Sequence, residues 1–367
     1  MDSPDLPLDQ VLEGDCIDVL QRLPAESVDL IFADPPYTLQ LRQELWRPNL
    51  TLVDGVDDAW DQFGSFADYD AFTTAWLDAC RRVLKRSGTL WVIGSYHNIF
   101  RIGALLQDLG FWFLNDVIWI KTNPMPNFRG VRFTNAHETL LWVSKFKGAR
   151  YTFNHHALKA LNDDLQMRSD WLLPICTGPE RIRHNGQKAH STQKPEALLY
   201  RVLTAASRPG DVVLDPFFGS GTTGAVAKKL GRHWIGIERE ADYIRVAEER
   251  LAQVQSVTEE GGVYALEGRA PAKTQRLPFG RLLEAGLLQP GQSLYYRGER
   301  AQAAQVRADG RLMLDGLCAS IHGLASQLSG GAPANGWLAW YYEDENQRLC
   351  VIDELRQRLL ADSHSAA

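Results

Sequence analysis

Short apolar runs separated by helical patterns are the feature of this sequence that most restricts its fold. The runs are rich in Val, Ile, Leu and aromatic residues and have the length of buried strands. They are Val28–Ala33, Thr89–Gly94, Trp112–Lys121, Thr139–Ser144, Asp211–Asp215 and Trp234–Glu238. The helical patterns are Tyr69–Arg86, which ends at Ser87-Gly88, Ile99–Leu109, Glu196–Ser207, Thr222–Leu230 and Asp242–Val254. This alternation predicts an α/β fold with a doubly wound, mostly parallel sheet.

The α/β pattern extends over residues 1–257, and the rest of the chain has a different character. Polar loops in residues 122–190 interrupt the alternation and predict an inserted recognition region. Residues 258–275 are rich in Glu, Gly and Ala and predict a linker. Residues 276–361 predict a small C-terminal α+β domain. Its expected strands are Leu294–Tyr296, Gln302–Arg307, Arg311–Leu314 and Trp337–Tyr342, and its expected helices are Ser320–Leu328 and Ile352–Leu360.

Charge is distributed unevenly along a chain whose net charge is −6. Residues 1–120 carry −11, residues 121–210 carry +8 and residues 211–367 carry −3. A basic block inside an acidic chain is typical of one surface that faces phosphate groups. A solvated surface whose charges average out in three dimensions explains the same numbers, so charge alone leaves both interpretations open.

Several classes of protein are disfavoured by what the sequence lacks. No apolar run reaches the length of a membrane span, and residues 1–10 do not resemble a signal peptide, so we expect a cytoplasmic protein. The five cysteines form no C-x-x-C pair, so we expect reduced thiols and no zinc ribbon. After His137-Glu138, Leu141 stands where the H-E-x-x-H zinc motif needs a second histidine, so we expect no metal.

The tetrapeptide Asp34-Pro35-Pro36-Tyr37 directly follows the predicted strand Val28–Ala33, at the end of a strand where ligands bind in such sheets. The prolines stiffen the turn and remove two N–H donors, so the turn offers acceptors, the Asp34 carboxylate and the Pro35 carbonyl. These acceptors suit the exocyclic amine of adenine, whose nitrogen is a weak nucleophile. Accepting hydrogen bonds from its N–H groups returns electron density to that nitrogen. Tyr37 offers a flat face on which a base can stack. A purely structural turn with an Asx contact remains an alternative.

A glycine-rich loop forms a second candidate site, because it follows one predicted strand and opens a predicted helix. Glu238 ends the next apolar run, 19 residues after Gly219, where a carboxylate can bind ribose hydroxyls. Both a nicotinamide cofactor and S-adenosylmethionine carry such a ribose, and the Asp-Pro-Pro-Tyr turn favours the methyl donor. The candidate cofactor-binding residues in the loop are Asp215, Phe217, Gly219, Gly221, Thr222 and Thr223.

Glu13-Gly14-Asp15-Cys16 is a weaker third motif, placed just before a helix-like stretch. Asp15 and the adjacent Cys16 are candidate contacts of the cofactor, with Asp15 near its adenine. An N-cap of the following helix is the alternative role for Asp15.

Together these motifs resemble the β-class of amino-methyltransferases that act on DNA. In that class the Asp-Pro-Pro-Tyr half precedes the cofactor-binding half, which here corresponds to Phe217–Thr223. His190–Pro195 is similar to the Thr-Gln-Lys-Pro motif beside the cofactor, so Lys194 is an expected cofactor contact. The resemblance is closer still to the cell-cycle-regulated adenine methyltransferases of alphaproteobacteria, and it includes their small C-terminal domain. It rests on Gly94–Phe100, Asn123–Phe128, Asn135–Thr139 and Gln166–Trp171.

The resemblance implies a site-specific methyltransferase that moves a methyl group from S-adenosylmethionine to N6 of a flipped adenine in DNA. It further implies 5′-GANTC-3′ as the target, a homodimer, a role in DNA replication and the cell cycle, and a nucleoid-associated location. The implied catalytic residues are Asp34, Pro35, Pro36 and Tyr37. Ser191 stands where many relatives have proline, and we expect no functional consequence.

Candidate DNA-reading residues lie mainly in the basic block, since arginines read guanine edges or clamp phosphates. They are Arg129, Arg132, Arg168, Arg181 and Arg183, together with Arg47 in the insertion 39–61. Aromatic residues of the C-terminal domain either contact DNA or form its core and a dimer surface, and the sequence leaves both roles open. They are Tyr295, Tyr296, Trp337, Trp340, Tyr341 and Tyr342.

Three other functions compete with this interpretation. A nicotinamide-dependent oxidoreductase explains the glycine spacing but leaves Asp34–Tyr37 unexplained. A methyltransferase for cytosine N4, an RNA base or a protein glutamine is less consistent with Asp34, since cytosine enzymes more often have serine there and glutamine enzymes asparagine. A non-catalytic DNA-binding regulator predicts a damaged motif, and both motifs are intact.

Overall fold

The computed structural model describes residues 6–38, 61–127, 131–184, 187–188, 192–255 and 277–364. The predicted linker 258–275 and almost all of the insertion 39–61 lie outside these ranges. The chain divides into two compact units. The first comprises Met1–Thr152, Arg168–Pro195 and Ala206–Gln255, and the second comprises Phe153–Met167, Glu196–Ala205 and Ser256–Ala367.

The described residues form helices and strands with the following bounds. The helices are α1 (Cys16–Arg22), α2 (Phe66–Val83), α3 (Ile99–Asp108), α4 (His155–Leu161), α5 (Glu196–Ala206), α6 (Thr222–Lys229), α7 (Ala241–Gln253), α8 (Gly280–Glu284), α9 (Ile321–Leu328), α10 (Gly336–Ala339) and α11 (Ile352–His364). The strands are β1 (Gln10–Glu13), β2 (Val28–Ala33), β3 (Leu84–Gly94), β4 (Trp112–Lys121), β5 (His137–Ser144), β6 (Asp170–Leu173), β7 (Arg183–His184), β8 (Gln187–Lys188), β9 (Val212–Asp215), β10 (His233–Glu238), β11 (Ser293–Tyr296), β12 (Ala303–Val306), β13 (Leu312–Leu314), β14 (Leu317–Ala319), β15 (Trp340–Glu343) and β16 (Leu349–Val351).

A mostly parallel sheet forms the centre of the first unit. Its described strands lie in the order β1-β10-β9-β2-β3-β5-β4-β6. Neighbouring strands run parallel except where β5 pairs antiparallel with β3 and β4. The α/β class and the mostly parallel sheet predicted from the alternating pattern are therefore confirmed.

The central strands β2 and β9 and the second half of β3 are buried on both faces, which is why they read as almost continuous apolar runs. On β3, Leu90 and Val92 belong to the core formed with α1, α2 and α3. The alternate residues Trp91 and Ile93 point to the opposite face and are equally buried. There the rings of Trp91 and Trp142 stack with centroids 5.1 Å apart. Burial on both faces leaves no polar alternation in the sequence, so length and composition carried the strand prediction.

The boundary between α2 and β3 differs from the sequence prediction. We expected a helix Tyr69–Arg86 that ends at Ser87-Gly88, but α2 ends at Val83 and β3 runs through both of these residues. A Cβ atom at Gly88 would lie 2.7 Å from the Leu84 side chain and 3.0 Å from the Asp29 carbonyl. Gly88 is therefore required by the close approach of the neighbouring strand, and it does not end a helix.

The second unit contains an antiparallel sheet in the order β14-β13-β12-β11-β15-β16. Two helices from the middle of the sequence, α4 and α5, belong to the same unit. The Tyr200 hydroxyl of α5 donates to the Ala308 carbonyl over 2.7 Å. Gly280, which begins α8, approaches α4 so closely that an added Cβ would lie 2.4 Å from the Leu161 carbonyl. These contacts join distant parts of the sequence into one core.

A buried ion cluster connects α5 with α8. One carboxylate oxygen of Glu284 accepts from Arg201 at 2.6 Å and from Arg281 at 3.1 Å. The side chain of Glu284 is 1% exposed and that of Arg201 is 6% exposed. A carboxylate buried this deeply depends on its cationic partners, because its transfer out of water is otherwise costly.

The C-terminal aromatic run is partly helical, which corrects the predicted strand Trp337–Tyr342. Asn335 caps α10 by accepting from the Trp337 amide, and β15 begins at Trp340. Tyr296, Trp337 and Trp340 are at most 5% exposed, so these three form the core of the unit. The remaining aromatic residues of the set, Tyr295, Tyr341 and Tyr342, are half-buried.

Two further predictions concern the environment of the chain. Within the described ranges, none of the helices combines the length and the apolar composition that a membrane span requires. All five cysteines are free thiols, and Cys16, Cys80 and Cys176 are buried. Burial raises the pKa of Cys16 to about 12, and the neighbouring Asp15 adds to the rise, so this thiol is protonated at neutral pH.

Candidate active site

The two main sequence motifs meet at one edge of the sheet. Parallel pairing of β2 with β9 places Leu30 beside Val213 and Ile31 beside Leu214. The turn Asp34–Tyr37 leaves the carboxyl end of β2, and the glycine-rich loop leaves the carboxyl end of β9. Segments about 180 residues apart in the sequence therefore become neighbours at the edge where ligands bind in such sheets.

The Asp-Pro-Pro-Tyr turn is held in place by side chains from outside the motif. One carboxylate oxygen of Asp61 accepts from the amides of Tyr37 and Thr38 at 2.6 and 2.7 Å. The Pro36 carbonyl accepts from the Tyr69 hydroxyl at 3.0 Å and from the Asn98 side-chain amide at 3.3 Å. Two donors saturate that carbonyl, so the Pro36 oxygen has no capacity left for a ligand.

Asp34 forms a buried ion pair with Lys194. The Lys194 ammonium group lies 2.6 Å from Oδ2 of Asp34, and its side chain is 8% exposed. Oδ1 of Asp34 is buried and accepts no hydrogen bond from the residues that the structure describes. Burial raises the pKa of the Asp34 carboxyl, and Lys194 opposes that rise. Burial alone lowers the pKa of Lys194, but the carboxylates of Asp34 and Glu138 outweigh it and the pKa is raised.

Tyr37 is anchored through its hydroxyl group. The hydroxyl donates to Oε2 of Glu138 at 3.0 Å, and Oε1 of Glu138 lies 2.7 Å from the Lys121 ammonium group. Burial raises the pKa of Tyr37 well above its usual range, and Asp34 and Glu138 add to the rise, so the phenol is neutral. Burial works to raise the pKa of Glu138, but Lys194 and Lys121 hold it below its usual range. Glu138 is therefore an ionised acceptor for Tyr37.

The glycine-rich loop is organised by two carboxylates. Asp215 accepts from the Phe217 amide at 2.9 Å and from the Thr223 hydroxyl at 2.6 Å. Glu238 accepts from the Gly219 amide at 2.8 Å. Gly221 has φ +74°, and a Cβ there would lie 3.0 Å from Ala247 in α7, so both the turn and the packing require glycine.

Asp215 gives this loop a pH-dependent stability. Burial raises the pKa of Asp215 to about 7, whereas the hydrogen bonds from Thr223 and Phe217 lower it. Between the ordinary value of 3.8 and about 7, the folded state binds the proton more tightly than the unfolded state, so ionisation destabilises the fold as pH rises. Asp215→Asn removes this titration.

We therefore expect the stability of Asp215→Asn relative to the natural protein to be more favourable at about pH 8 than at about pH 5. Denaturant unfolding of the cofactor-free proteins at both pH values measures the difference. A difference that does not change with pH would contradict the assignment to Asp215.

A cavity of about 290 Å³ lies where the motifs converge. This is close to the lower end of the range for small-molecule sites, roughly 300–1,000 Å³. The predicted site residues that line it are Asp34, Pro35, Pro36, Tyr37, Asp15, Cys16, Phe217, Gly219 and Glu238. The other predicted cofactor contacts, Asp215, Gly221, Thr222, Thr223 and Lys194, support these residues from behind and do not line the cavity.

Several lining residues were missed by sequence reasoning. They are Gly14, Asp61, Gln62, Phe63, Phe72, Thr192, Pro216, Ile237, Arg239, Glu240 and Tyr243. Arg239 and Glu240 directly follow Glu238, so their place after a strand was a usable signal. Asp61 and Phe72 carry no motif, and only the folded chain brings them to the cavity.

The lining residues fit the adenosine part of S-adenosylmethionine. Oε1 of Glu238 accepts from the amides of Arg239 and Glu240, so Oε2 is the oxygen suited to a ribose hydroxyl. The ring of Phe217 offers an apolar face that is fixed edge-on against Trp76, with centroids 5.2 Å apart. Asp15 caps α1 through the Ile17 amide and also lines the cavity, so its N-cap role is compatible with a cofactor contact. Oδ1 of Asp34, to which no described residue donates, supplies an acceptor at the same cavity.

The predicted DNA-reading arginines that the structure describes are Arg132, Arg168, Arg181 and Arg183. Arg47 and Arg129 lie outside the described residues. The guanidinium group of Arg132 bonds the Tyr96 hydroxyl. Arg168 forms two hydrogen bonds with Asp170, and Arg183 lies in the short strand β7, shortly after Arg181.

The His137-Glu138 pair is at the start of β5. The carboxylate oxygens of Glu138 accept from the Tyr37 hydroxyl and the Lys121 ammonium group. In the described part of the chain, no group of three or more His, Cys, Asp or Glu side chains is arranged to hold a metal ion.

Comparison with known proteins identifies the family. The sequence profile of the N6 and N4 methyltransferases, described as a DNA methylase family, matches residues 28–249. The chain belongs to this family. A second profile, the Restriction Enzyme Adenine Methylase Associated domain, matches residues 262–365.

Individual relatives agree with the family. The chain is 50% identical to the Type II methyltransferase M.HinfI of Haemophilus influenzae over 350 residues, which cover 95% of this chain and 96% of that protein. It is 41% identical to the Type II methyltransferase M2.DpnII of Streptococcus pneumoniae over 242 residues, 66% of this chain and 88% of that protein. The solved PvuII DNA methyltransferase, which is cytosine-N4-specific, has a TM-score of 0.52 at 21% identity, covering 68% of this chain and 88% of that chain. That likeness establishes the methyltransferase fold.

Membership of the family settles the class of reaction. The protein is a DNA methyltransferase, and its cofactor is S-adenosylmethionine. The oxidoreductase and the non-catalytic regulator considered from the sequence are not favoured.

Gly236 sets how closely the cofactor loop packs on the sheet. A Cβ at this position would lie 2.4 Å from the ring of Phe218, which stacks on Trp234 with centroids 5.3 Å apart. We expect Gly236→Ala to displace Phe218 and the adjoining Gly219, costing about 1–3 kcal/mol of stability and weakening cofactor binding.

The matched control is Gly103→Ala in α3, where the added Cβ meets Leu141 at an ordinary 3.5 Å. Denaturant unfolding and titration with S-adenosylmethionine measure both variants. Unchanged cofactor affinity in a destabilised Gly236→Ala would contradict the link between this packing and the loop.

Proposed function

We propose that this DNA methyltransferase transfers the methyl group to N6 of adenine. The observation that carries the proposal is the buried Oδ1 of Asp34, beside a turn of two prolines at the cavity. Among the described residues this oxygen has no hydrogen-bond donor. A buried acceptor without a donor is costly unless a ligand supplies one. The exocyclic amine of adenine supplies N–H donors of the required kind.

Two acceptors in the turn suit the two N–H groups of the amine. Oδ1 of Asp34 accepts one of them, and the Pro35 carbonyl accepts the other, since the Pro36 carbonyl is saturated by Tyr69 and Asn98. Hydrogen bonds from both N–H groups raise the electron density on the nitrogen. They also favour the tetrahedral geometry that attack on the methyl group requires. The nitrogen becomes a stronger nucleophile without a covalent enzyme intermediate.

Tyr37 provides the surface against which the flipped base stacks. Its hydroxyl is fixed by Glu138, and the Lys194 ammonium group lies 5.1 Å from the centroid of its ring. Because Lys194 covers one face of the ring, the base stacks on the other. A base in duplex DNA leaves the helix to reach such a pocket.

S-adenosylmethionine supplies an activated methyl group bound to a positively charged sulfur. The residues proposed to hold this cofactor are Asp15, Cys16, Phe217, Gly219 and Glu238 at the cavity. Asp215, Gly221, Thr222, Thr223 and Lys194 position them or the catalytic turn. This division sharpens the sequence prediction, which placed both sets in direct contact with the cofactor.

The finer assignment follows the sequence resemblance. We propose 5′-GANTC-3′ as the target, a homodimer, a role in DNA replication and the cell cycle like that of the cell-cycle-regulated alphaproteobacterial enzymes, and a nucleoid-associated location in the cytoplasm. The domain division is proposed as a methyltransferase domain 1–257 with recognition region 122–190, a linker 258–275 and an associated domain 276–361. The second compact unit combines this associated domain with α4 and α5 from within 1–257. The predicted arginines and the half-buried tyrosines of the associated domain remain candidates for DNA contacts.

Methylation of a DNA library with labelled cofactor, read by modification-sensitive sequencing, tests the target. We expect methylated adenine within GANTC. Methylated adenine in another sequence would overturn the target and leave the adenine chemistry intact, whereas methylated cytosine would overturn both.

A further inference from the structure

Lys194 stands in an unusual position for a residue expected to touch the cofactor. Its side chain is 8% exposed and is absent from the lining of the cavity, whereas Thr192, two residues earlier, does line it. The ammonium group lies 2.6 Å from Oδ2 of Asp34 and 3.5 Å from the Thr192 carbonyl. The main contact of Lys194 is therefore the carboxylate of the proposed catalytic turn.

We propose that Lys194 is a positioning residue that acts through Asp34, holding Oδ2 so that Oδ1 is the oxygen left to accept the substrate amine. This inference rests on the proposed adenine methylation and names what prepares its acceptor. A carboxylate without a fixed partner can rotate and present either oxygen. An ammonium group at 2.6 Å removes that freedom, because one oxygen is committed to a charge-assisted hydrogen bond.

The position of Lys194 is itself fixed by the cofactor loop. The carbonyl of Lys194 accepts from the Thr222 hydroxyl at 3.3 Å, and the guanidinium group of Arg250 donates to the same hydroxyl at 2.9 Å. Thr222 begins α6, directly after the glycine-rich loop. The backbone that carries Lys194 is thus attached to the loop of the cofactor, while its side chain reaches the catalytic turn.

Charge balance explains why a lysine is needed here. Asp34 is faced by Lys194, by Glu138 from β5, by Tyr37 of its own turn and by Asp215 from β9. Glu138 has a second cation, Lys121, at 2.7 Å. Within the part of the chain that the structure describes, Asp34 forms its ion pair with Lys194. Without Lys194, burial and the negative charge of Glu138 both favour the protonated form of Asp34, which cannot accept at a protonated oxygen.

Three substitutions separate the charge from the hydrogen bond. Lys194→Met removes both, Lys194→Gln keeps a donor without the charge, and Lys194→Arg keeps both. Lys147→Met, at an exposed lysine above the Trp112 ring, is the matched control. Single-turnover methylation of a defined DNA duplex is measured across pH, together with the affinity for S-adenosylmethionine and the thermal stability of each variant.

We expect Lys194→Met to lower the single-turnover rate by about 10- to 100-fold and to change cofactor affinity much less. As pH is lowered, the variant should lose activity at a higher pH than the natural enzyme does, because Asp34 without Lys194 binds a proton more tightly. Lys194→Arg should recover most of the rate and return the loss of activity at low pH to the pH range of the natural enzyme. If Lys194→Met does not fold, the same measurements are made on Lys194→Gln. We expect a smaller loss of rate for this variant, and the same shift to higher pH of the activity loss on acidification.

Two results would overturn the role of Lys194. One is a loss of cofactor affinity in proportion to the loss of rate with an unmoved pH profile, which would make Lys194 a cofactor contact. The other is a rate unaffected by Lys194→Met. Both leave adenine methylation by the natural enzyme in place. Failure of the proposed function is seen separately, as absence of methylated adenine with the natural enzyme itself.

Discussion

Asp34→Ala is expected to lower the single-turnover rate of methyl transfer on the order of 10²–10³-fold while S-adenosylmethionine still binds. The variant removes the acceptor Oδ1 and leaves the buried ammonium group of Lys194 without its carboxylate. The residues proposed to hold the cofactor, such as Phe217 and Glu238, belong to other segments. The chemical step should therefore suffer far more than cofactor binding.

Rapid-quench methylation and calorimetric titration with cofactor measure the two effects. Asp116→Ala, at an exposed carboxylate of β4, is the matched control and should leave both unchanged. Asp34→Asn restores the shape and one acceptor oxygen but not the charge, so its rate should lie between those of the natural enzyme and Asp34→Ala. Full activity of Asp34→Ala would remove Asp34 from the reaction.

Glu284→Ala is expected to destabilise the second unit by about 3–5 kcal/mol, the range for breaking a buried ion pair by removing one partner. Glu284 is 1% exposed and receives both Arg201 and Arg281. Its removal takes away the carboxylate that the buried Arg201 and the half-buried Arg281 share. Amide hydrogen exchange in β11–β16, measured by mass spectrometry, reports the loss for this unit, whereas a single unfolding curve mixes the two units.

Glu345→Ala, at an exposed carboxylate of the same unit, is the control and should leave exchange unchanged. Replacing the acid together with Arg201 by apolar residues should recover part of the loss, because the most deeply buried cation of the cluster is removed with it. A change in exchange as small for Glu284→Ala as for the control would show that the ion cluster contributes little.

The sheet was predictable because each buried strand has its own local signature. Val28–Ala33 and Trp112–Lys121 coincide with β2 and β4. The run Val28–Ala33 is almost continuously apolar because β2 is buried on both faces, whereas β4 was found from its aromatic and branched residues although Asn115 and Asp116 are exposed. The predicted helix end at Ser87-Gly88 was wrong, because Gly88 lies in β3 and allows the neighbouring strand to approach closely. The predicted strand start at Trp337 was also wrong, because the N-cap of Asn335 outweighs the strand preference of an aromatic run.

The site was predictable to the extent that a motif is contiguous. Asp34–Tyr37 and Phe217 could be found because each motif carries its own spacing and follows a strand. The partners of those residues come from elsewhere in the chain. Glu138 is 101 positions from Tyr37 and Lys194 is 160 positions from Asp34. Such pairs have no local pattern, so the sequence assigned Lys194 to the cofactor and left Glu138 without a catalytic partner.

The central claim is that the Asp-Pro-Pro-Tyr turn directs methyl transfer to the amine of adenine. The most direct test incubates the natural enzyme and duplex DNA with S-adenosylmethionine labelled in its methyl group, digests the DNA to nucleosides and identifies the labelled nucleoside by mass spectrometry. The account predicts label in N6-methyladenine, abolished in Asp34→Ala. Label in N4-methylcytosine, or no label in DNA, would contradict it.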